Sequence, residues 1–127
     1  MKIRIKGNSI RYRLTQTEIA GFGKNGYLEE RTEFLNGAVF YYCLEKRPGI
    51  DNLQATFLDN RITVFVPVSI AEEWTTTEAV GFNNTVPLGD EKELFLLIEK
   101  DFVCLDHTFE DQSDNYPNPN KACGPAE

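Results

Sequence analysis

The sequence predicts an α+β fold, mainly antiparallel β, in which three hairpins form a twisted or barrel-like sheet with two short helices. Three observations carry that reading. The turn-forming pairs Gly7-Asn8, Asn36-Gly37 and Asp59-Asn60 each lie between runs of strand-forming residues. Thr15-Gln16-Thr17-Glu18 and Ser69-Ile70-Ala71-Glu72 have the Thr/Ser-x-x-Glu spacing of a helix-capping box. Residues 94–98, Leu-Phe-Leu-Leu-Ile, are apolar without a break and suit a buried central strand.

Taken in order, the first fourteen residues fix their own register. A turn at Gly7-Asn8 sets Ile5 opposite Ile10, Ile3 opposite Tyr12 and Met1 opposite Leu14, so the apolar set shares one face. Lys2, Arg4, Lys6, Ser9, Arg11 and Arg13 take the other face, and a one-residue slip would mix the two sets. The Thr15 box then starts a helix of two turns at most, carrying Ile19, Ala20 and Phe22 and closing among the glycines of 21–26. Asn36-Gly37 joins a polar, half-exposed strand over 27–35 to a more central one over 38–45. Asp59-Asn60 sets Phe57 opposite Ile62, Ala55 opposite Val64 and Leu53 opposite Val66, with Thr56 and Thr63 paired on the other face. Pro67 ends that strand, and the Ser69 box opens a second helix through Trp74. Residues 77–89 read as irregular, with turns at Asn83-Asn84 and Leu88-Gly89-Asp90, and the strand at 94–98 continues toward 102–105. No internal repeat is visible beyond the hairpins.

The length of 127 residues fits one globular domain over 1–105. Residues 106–127 are polar and acidic, with Pro117, Pro119 and Gly124-Pro125, and read as a tail that is extended or packed across the domain. No apolar run approaches the roughly 20 residues that cross a bilayer. The start alternates apolar and basic residues and so lacks the continuous apolar stretch of a secretory signal. Three sparse cysteines, Cys43, Cys104 and Cys123, fit a reducing compartment, and a cytoplasmic protein is expected. The net charge of −7 argues against nucleic acid and against a membrane surface as partners.

Charge is unevenly spread. The first fourteen residues carry +5 and no acid, leaving −12 for the rest. In the hairpin register Arg4 faces Arg11 and Lys2 faces Arg13, and like charges directly opposite destabilise a sheet unless compensated. The compensator is either acid from the fold itself, such as Glu29, Glu30 or Glu33 on a neighbouring strand, or an anionic ligand. Arginine's planar fork suits bidentate binding of phosphate or carboxylate. Arg4, Arg11 and Arg13 are therefore the candidate ligand-binding residues, with Lys2 and Lys6 in electrostatic support.

A second candidate is metal chemistry. Cys104 and His107 lie three apart, and with Cys123 and an aspartate they could hold zinc. Structural zinc sites usually show two close ligand pairs and here there is one, so a buried small Cys104 and a solvated His107 are the plainer readings. No cofactor is expected. A single histidine, no nucleophile elbow and no glycine-rich phosphate loop leave nothing that requires an enzyme.

The start MKIRIKGNSIRYRLTQTE and the end EKDFVCLDHTFEDQSDNYPNPNKAC resemble a family of short uncharacterised bacterial proteins. The resemblance spans both termini, implies a bacterial cytoplasmic single-domain protein, and lends no functional residue. The functional expectation rests on the basic hairpin: non-catalytic binding of a protein partner or a small anion. The alternative is a small enzyme acting on a phosphorylated or carboxylated substrate at the same cations.

Overall fold

The computed structural model describes residues 1–102. Gly7-Asn8 turns β1 (Lys2–Lys6) into β2 (Ser9–Leu14), in the register that the apolar alternation requires. Thr15 caps α1 (Gln16–Asn25): its hydroxyl accepts from the Glu18 N–H at 3.3 Å while the Glu18 carboxylate accepts from the Thr15 N–H at 2.9 Å. The helix runs longer than two turns and stops at Gly26, whose φ of 72° is left-handed and costs glycine little. β3 (Tyr27–Glu33) and β4 (Val39–Arg47) form the Asn36-Gly37 hairpin. β5 (Gln54–Leu58) and β6 (Arg61–Pro67) form the third, with Phe57 opposite Ile62, Ala55 opposite Val64 and Thr56 opposite Thr63.

From there the chain departs from the sequence reading. α2 (Val68–Thr76) has Pro67 as its N-cap and no side-chain cap, so the expected Ser69 capping box is absent. The strand runs straight into the helix at a proline whose fixed φ suits the boundary, and Ser69 already lies inside the first turn. Residues 77–89 are not irregular. β7 (Gly81–Gly89) and β8 (Lys92–Lys100) make a fourth hairpin. Pro87 is accommodated because β7 is an edge strand. Asn84, expected in a turn, instead donates from Nδ2 to the Leu53 carbonyl at 2.9 Å.

The strands form two mixed sheets, ordered β1-β2-β8-β7 and β3-β4-β6-β5, and neither closes into a barrel. In each the outer pairs are antiparallel and the central pair, β2 with β8 or β4 with β6, is parallel. Parallel neighbours arise because each central pair joins strands from opposite halves of the chain.

This arrangement is a repeat that the sequence analysis missed. β1-β2-α1-β3-β4 and β5-β6-α2-β7-β8 have the same order, and their ladders match residue for residue. Ile3–Tyr12 corresponds to Ala55–Val64, and Tyr12–Ile98 to Val64–Leu44. Even single backbone bonds recur: Lys46 N–H to Gly26 carbonyl matches Lys100 N–H to Val80 carbonyl, both at 2.9 Å.

The core lies between the sheets, where Tyr12, Leu14, Leu96 and Ile98 meet Leu44, Ile62, Val64 and Val66. The Tyr12 and Tyr42 rings touch across it, 5.9 Å between centroids. The two helices close one end. Their repeat-mates Phe22 and Trp74 meet edge to face at 6.1 Å, a geometry that aromatic quadrupoles favour. Gly23 sits against Thr75, where an added Cβ would come within 3.1 Å of the threonine Cβ. Since both helices cap the same end, all four hairpin turns lie at the other. Among the described residues no helix is long and apolar enough to cross a membrane.

Candidate functional site

Because Ile3, Tyr12, Ile98 and Phe82 pack inward, their strand neighbours stand on the opposite face of the first sheet. The registers align that face in rows. Lys2, Arg13, Glu99 and Gly81 form one; Arg4, Arg11, Leu97 and Asn83 the next; Lys6, Ser9, Phe95 and Thr85 the last. All five candidate cations therefore share one surface, with Lys2, Arg4 and Lys6 exposed on the edge strand and Arg11 and Arg13 half-buried beside it.

The compensating acid is Glu99, not Glu29, Glu30 or Glu33. Arg13 donates to the Glu99 Oε2 from Nη2 at 3.0 Å and from Nε at 3.2 Å, and the Arg11 Nε lies 3.6 Å away. Glu99 is only 8% exposed, so its charge is held by these arginines rather than by water. Lys2 Nζ reaches the Asp101 Oδ2 at 3.2 Å. Neither Arg4 nor Arg11 stands without a partner. β3, which carries the acids named from sequence, lies in the other sheet, because β2 pairs with β8 and not with its neighbour in sequence. There Glu29 serves Arg61, Glu33 serves Arg31 at 3.0 Å, and Glu30 accepts from the Met1 ammonium at 2.9 Å.

Two further clusters escaped the sequence reading. The Met1 ammonium is buried and also bonds to Glu18. Burial opposes its charge, yet the hydrogen bonds from both glutamates outweigh that and raise its pKa above the ordinary 8.0. Burial likewise pushes Glu18 up, and the ammonium with the Thr15 N–H brings it below the usual carboxylate range.

On the far face of the second sheet, Arg61 donates to Glu29, to the Tyr27 hydroxyl at 3.0 Å and to the Cys43 sulfur at 2.8 Å, and lies 4.3 Å above the Tyr41 ring. The Tyr27 hydroxyl donates to Glu29 at 2.7 Å. Arg61 holds the Glu29 carboxyl below its usual range, while burial and then Cys43 and Glu29 push the Tyr27 phenol up. Every polar group here is answered inside the cluster, which ties β3, β4 and β6 together and leaves no group aimed at a ligand. Only the spacing of the outward positions in the strand register could have brought these residues together on paper.

Cys104, His107 and Cys123 lie outside the described residues. Among those described, no group of three or more His, Cys, Asp or Glu side chains is placed to hold a metal. A family model described as "Family of unknown function (DUF7009)" matches residues 1–120. No curated protein and no solved structure matches the chain.

Proposed function

The chain belongs to the family of unknown function DUF7009, which brings no activity with it, and we propose that it is a non-catalytic domain binding a small phosphate- or carboxylate-bearing anion on its basic face. Arg4, Arg11 and Arg13 are the recognising groups and Lys2 and Lys6 support them. An acidic segment of a partner protein would present the same chemistry.

The observation that carries this is an internal control. The repeat places Gln54, Thr56, Leu58, Thr63 and Phe65 where the first half has Lys2, Arg4, Lys6, Arg11 and Arg13. None of the five is charged. The same strands in the same register thus form without cations at these five positions, so the fold does not demand Arg4 opposite Arg11 or Lys2 opposite Arg13. Cations gathered on one face that the fold can form without are expected where a ligand uses them. Binding is favoured over catalysis because Glu99 and Asp101, the acids paired with Arg11, Arg13 and Lys2, already serve cations and are not poised as a general base.

Isothermal titration with inorganic pyrophosphate at low ionic strength tests the proposal. Wild-type protein is expected to bind, more weakly as salt rises. Arg4→Gln/Arg11→Gln should weaken binding by about tenfold or more, the scale of one lost charge-assisted hydrogen bond. Absence of saturable binding, or an equal constant in the variant, overturns it.

A further inference from the structure

We infer that two copies of the chain form a two-fold dimer through the flank built by β5 and β7, with β5 of each copy extending the other's sheet. The inference stands apart from the anion reading, because it uses the flank opposite the basic edge strand.

The two flanks differ in charge. The Met1 ammonium, just before β1, bonds to Glu30 of β3, and Asn84 of β7 bonds to the Leu53 carbonyl just before β5. Thus β1 lies by β3 on one flank and β7 by β5 on the other, and all four are edge strands. β1 carries Lys2, Arg4 and Lys6, and β3 carries Glu29, Glu30, Arg31 and Glu33. Their repeat-mates β5 and β7 hold no charged residue over 5 and 9 positions, in a chain of which 26% is charged. Thr56 stands where β1 has Arg4, Leu58 where it has Lys6, and Asn83 and Asn84 where β3 has Glu29 and Glu30.

Charged side chains commonly keep an open sheet edge from pairing with another chain. One flank has that protection and the other lacks it. β7 retains a different one, Pro87 beside a shift of register, whereas β5 has neither proline nor irregularity. The uncharged flank is also apolar at its surface: Phe57 is 64% and Leu58 68% exposed on β5, and Leu88 52% on β7.

The geometry of β5 selects a second copy as the occupant. Asp59 and Asn60, at φ of 52° and 63°, close a two-residue turn. Leu58–Arg61 is therefore a hydrogen-bonded pair and, by alternation, so is Thr56–Thr63. The N–H and C=O groups of Ala55 and Phe57 then point away from β6, toward the open edge. A two-fold axis at Thr56 sets Ala55 of one copy opposite Phe57 of the other, and the two exchange their backbone bonds. The large ring meets a methyl group, Leu58 meets Gln54, and Thr56 meets itself. No like charges oppose one another, which matters for a chain whose net charge of −7 repels its own copy elsewhere.

The same axis brings the two copies of β7 together. The flank is as long as β7, 9 residues or about 30 Å at ~3.3 Å each. Two sheets about 10 Å apart, with their side chains, make it about 20 Å wide. That footprint, on the order of 600 Å², approaches the ~800 Å² per partner of a stable interface.

Sedimentation equilibrium of the full chain, from micromolar to millimolar concentration, is expected to show monomer passing to dimer. Thr56→Arg and Thr56→Glu each set like charges against themselves across the axis, and each should stay monomeric over that range. The fold accepts a charge there, since Arg4 occupies the matching place in β1. An equal mixture of the two variants sets opposite charges together and should dimerise again. Hydrogen exchange of wild type needs no variant: the Ala55 and Phe57 amides should gain protection with concentration while those of β3 do not. A wild-type chain that stays monomeric overturns the proposal, as does a dimer that both variants retain. Failure of the mixed variants to associate overturns the axis at Thr56. Ala55 and Phe57 amides equally protected at every concentration assign the edge to another occupant and overturn the dimer.

Discussion

Met1 and Glu99 show how single charged groups hold this fold. The Met1 ammonium draws Glu18 from α1 and Glu30 from β3 onto the end of β1, joining three elements. Glu18→Gln keeps a capping-box side chain but removes the charge, which isolates the ion pair. Glu18 has a depressed pKa, so its contribution is full above about 4.5 and is lost as pH falls through the lowered folded value. Met1 has a raised pKa, so its contribution is full below about 8 and is lost as pH rises through the raised folded value. The melting-temperature gap between wild type and Glu18→Gln should be widest between those limits and close on both sides; a gap constant with pH would contradict the pairing. Glu99→Gln makes a different point. It leaves Arg11 and Arg13 facing Arg4 and Lys2 without their buried acid, and should cost about 1–3 kcal/mol in denaturant unfolding. Because it also removes an acid that competes for Arg11 and Arg13, the same variant should bind pyrophosphate more tightly than wild type. A loss of stability with weaker binding would show that Glu99 positions the arginines instead of competing for them.

At the scale of elements, α1 contains two glycines with opposite tasks. Nothing lies within 4 Å of a Cβ at Gly21, whereas one at Gly23 meets the Thr75 Cβ at 3.1 Å and its Oγ1 at 3.2 Å. Thr75 cannot yield easily, since its hydroxyl is bonded to the Ala71 carbonyl at 2.8 Å. Gly21→Ala is therefore expected to stabilise by about 0.5–1 kcal/mol through helix propensity. Gly23→Ala forces the helices apart and should cost about 1–3 kcal/mol by thermal or denaturant melting. Equal effects would mean that α1 and α2 are not in close contact.

Elements also mark where the sequence was legible. Three hairpins could be read because each had a recognisable turn pair between strand-forming runs, and Thr15 with Glu18 announced α1. The fourth hairpin could not. Its turn places Asp90 and Glu91 at φ of 53° and 61°, a left-handed region that glutamate rarely enters, and Pro87 and Asn83-Asn84 imitate loop residues. Ser69-Ile70-Ala71-Glu72 imitated a capping box inside a helix that begins at Val68, directly after the proline that ends its strand.

The whole molecule is two copies of one supersecondary pattern, interleaved so that each sheet takes a hairpin from both halves. That was invisible in sequence because the halves share mostly the apolar character of inward positions, such as Ile10 with Ile62 and Phe22 with Trp74. Apolar residues exchange freely there as long as volume and pattern are kept. Most outward positions diverged, although Glu45 stands where the other half has Glu99, and the divergence on the hairpin strands is informative. Five cations on one sheet answer five neutral residues on the other. The ladder itself was legible from residues 1–14, since a hairpin fixes its own faces. Its compensating acid was not, because pairing of β2 with β8 joins residues far apart in the chain and no local pattern specifies it.

The most direct test of the basic face as an anion site is the melting temperature of the purified protein against phosphates, nucleotides, sugar acids and polyanions. A ligand that binds only the native state must raise it by mass action. The account predicts a concentration-dependent rise with at least one anion, lost in Arg4→Gln/Arg11→Gln and retained in Thr56→Ala/Thr63→Ala on the opposite sheet. A flat response across all of them, or a rise that survives loss of Arg4 and Arg11, would contradict it.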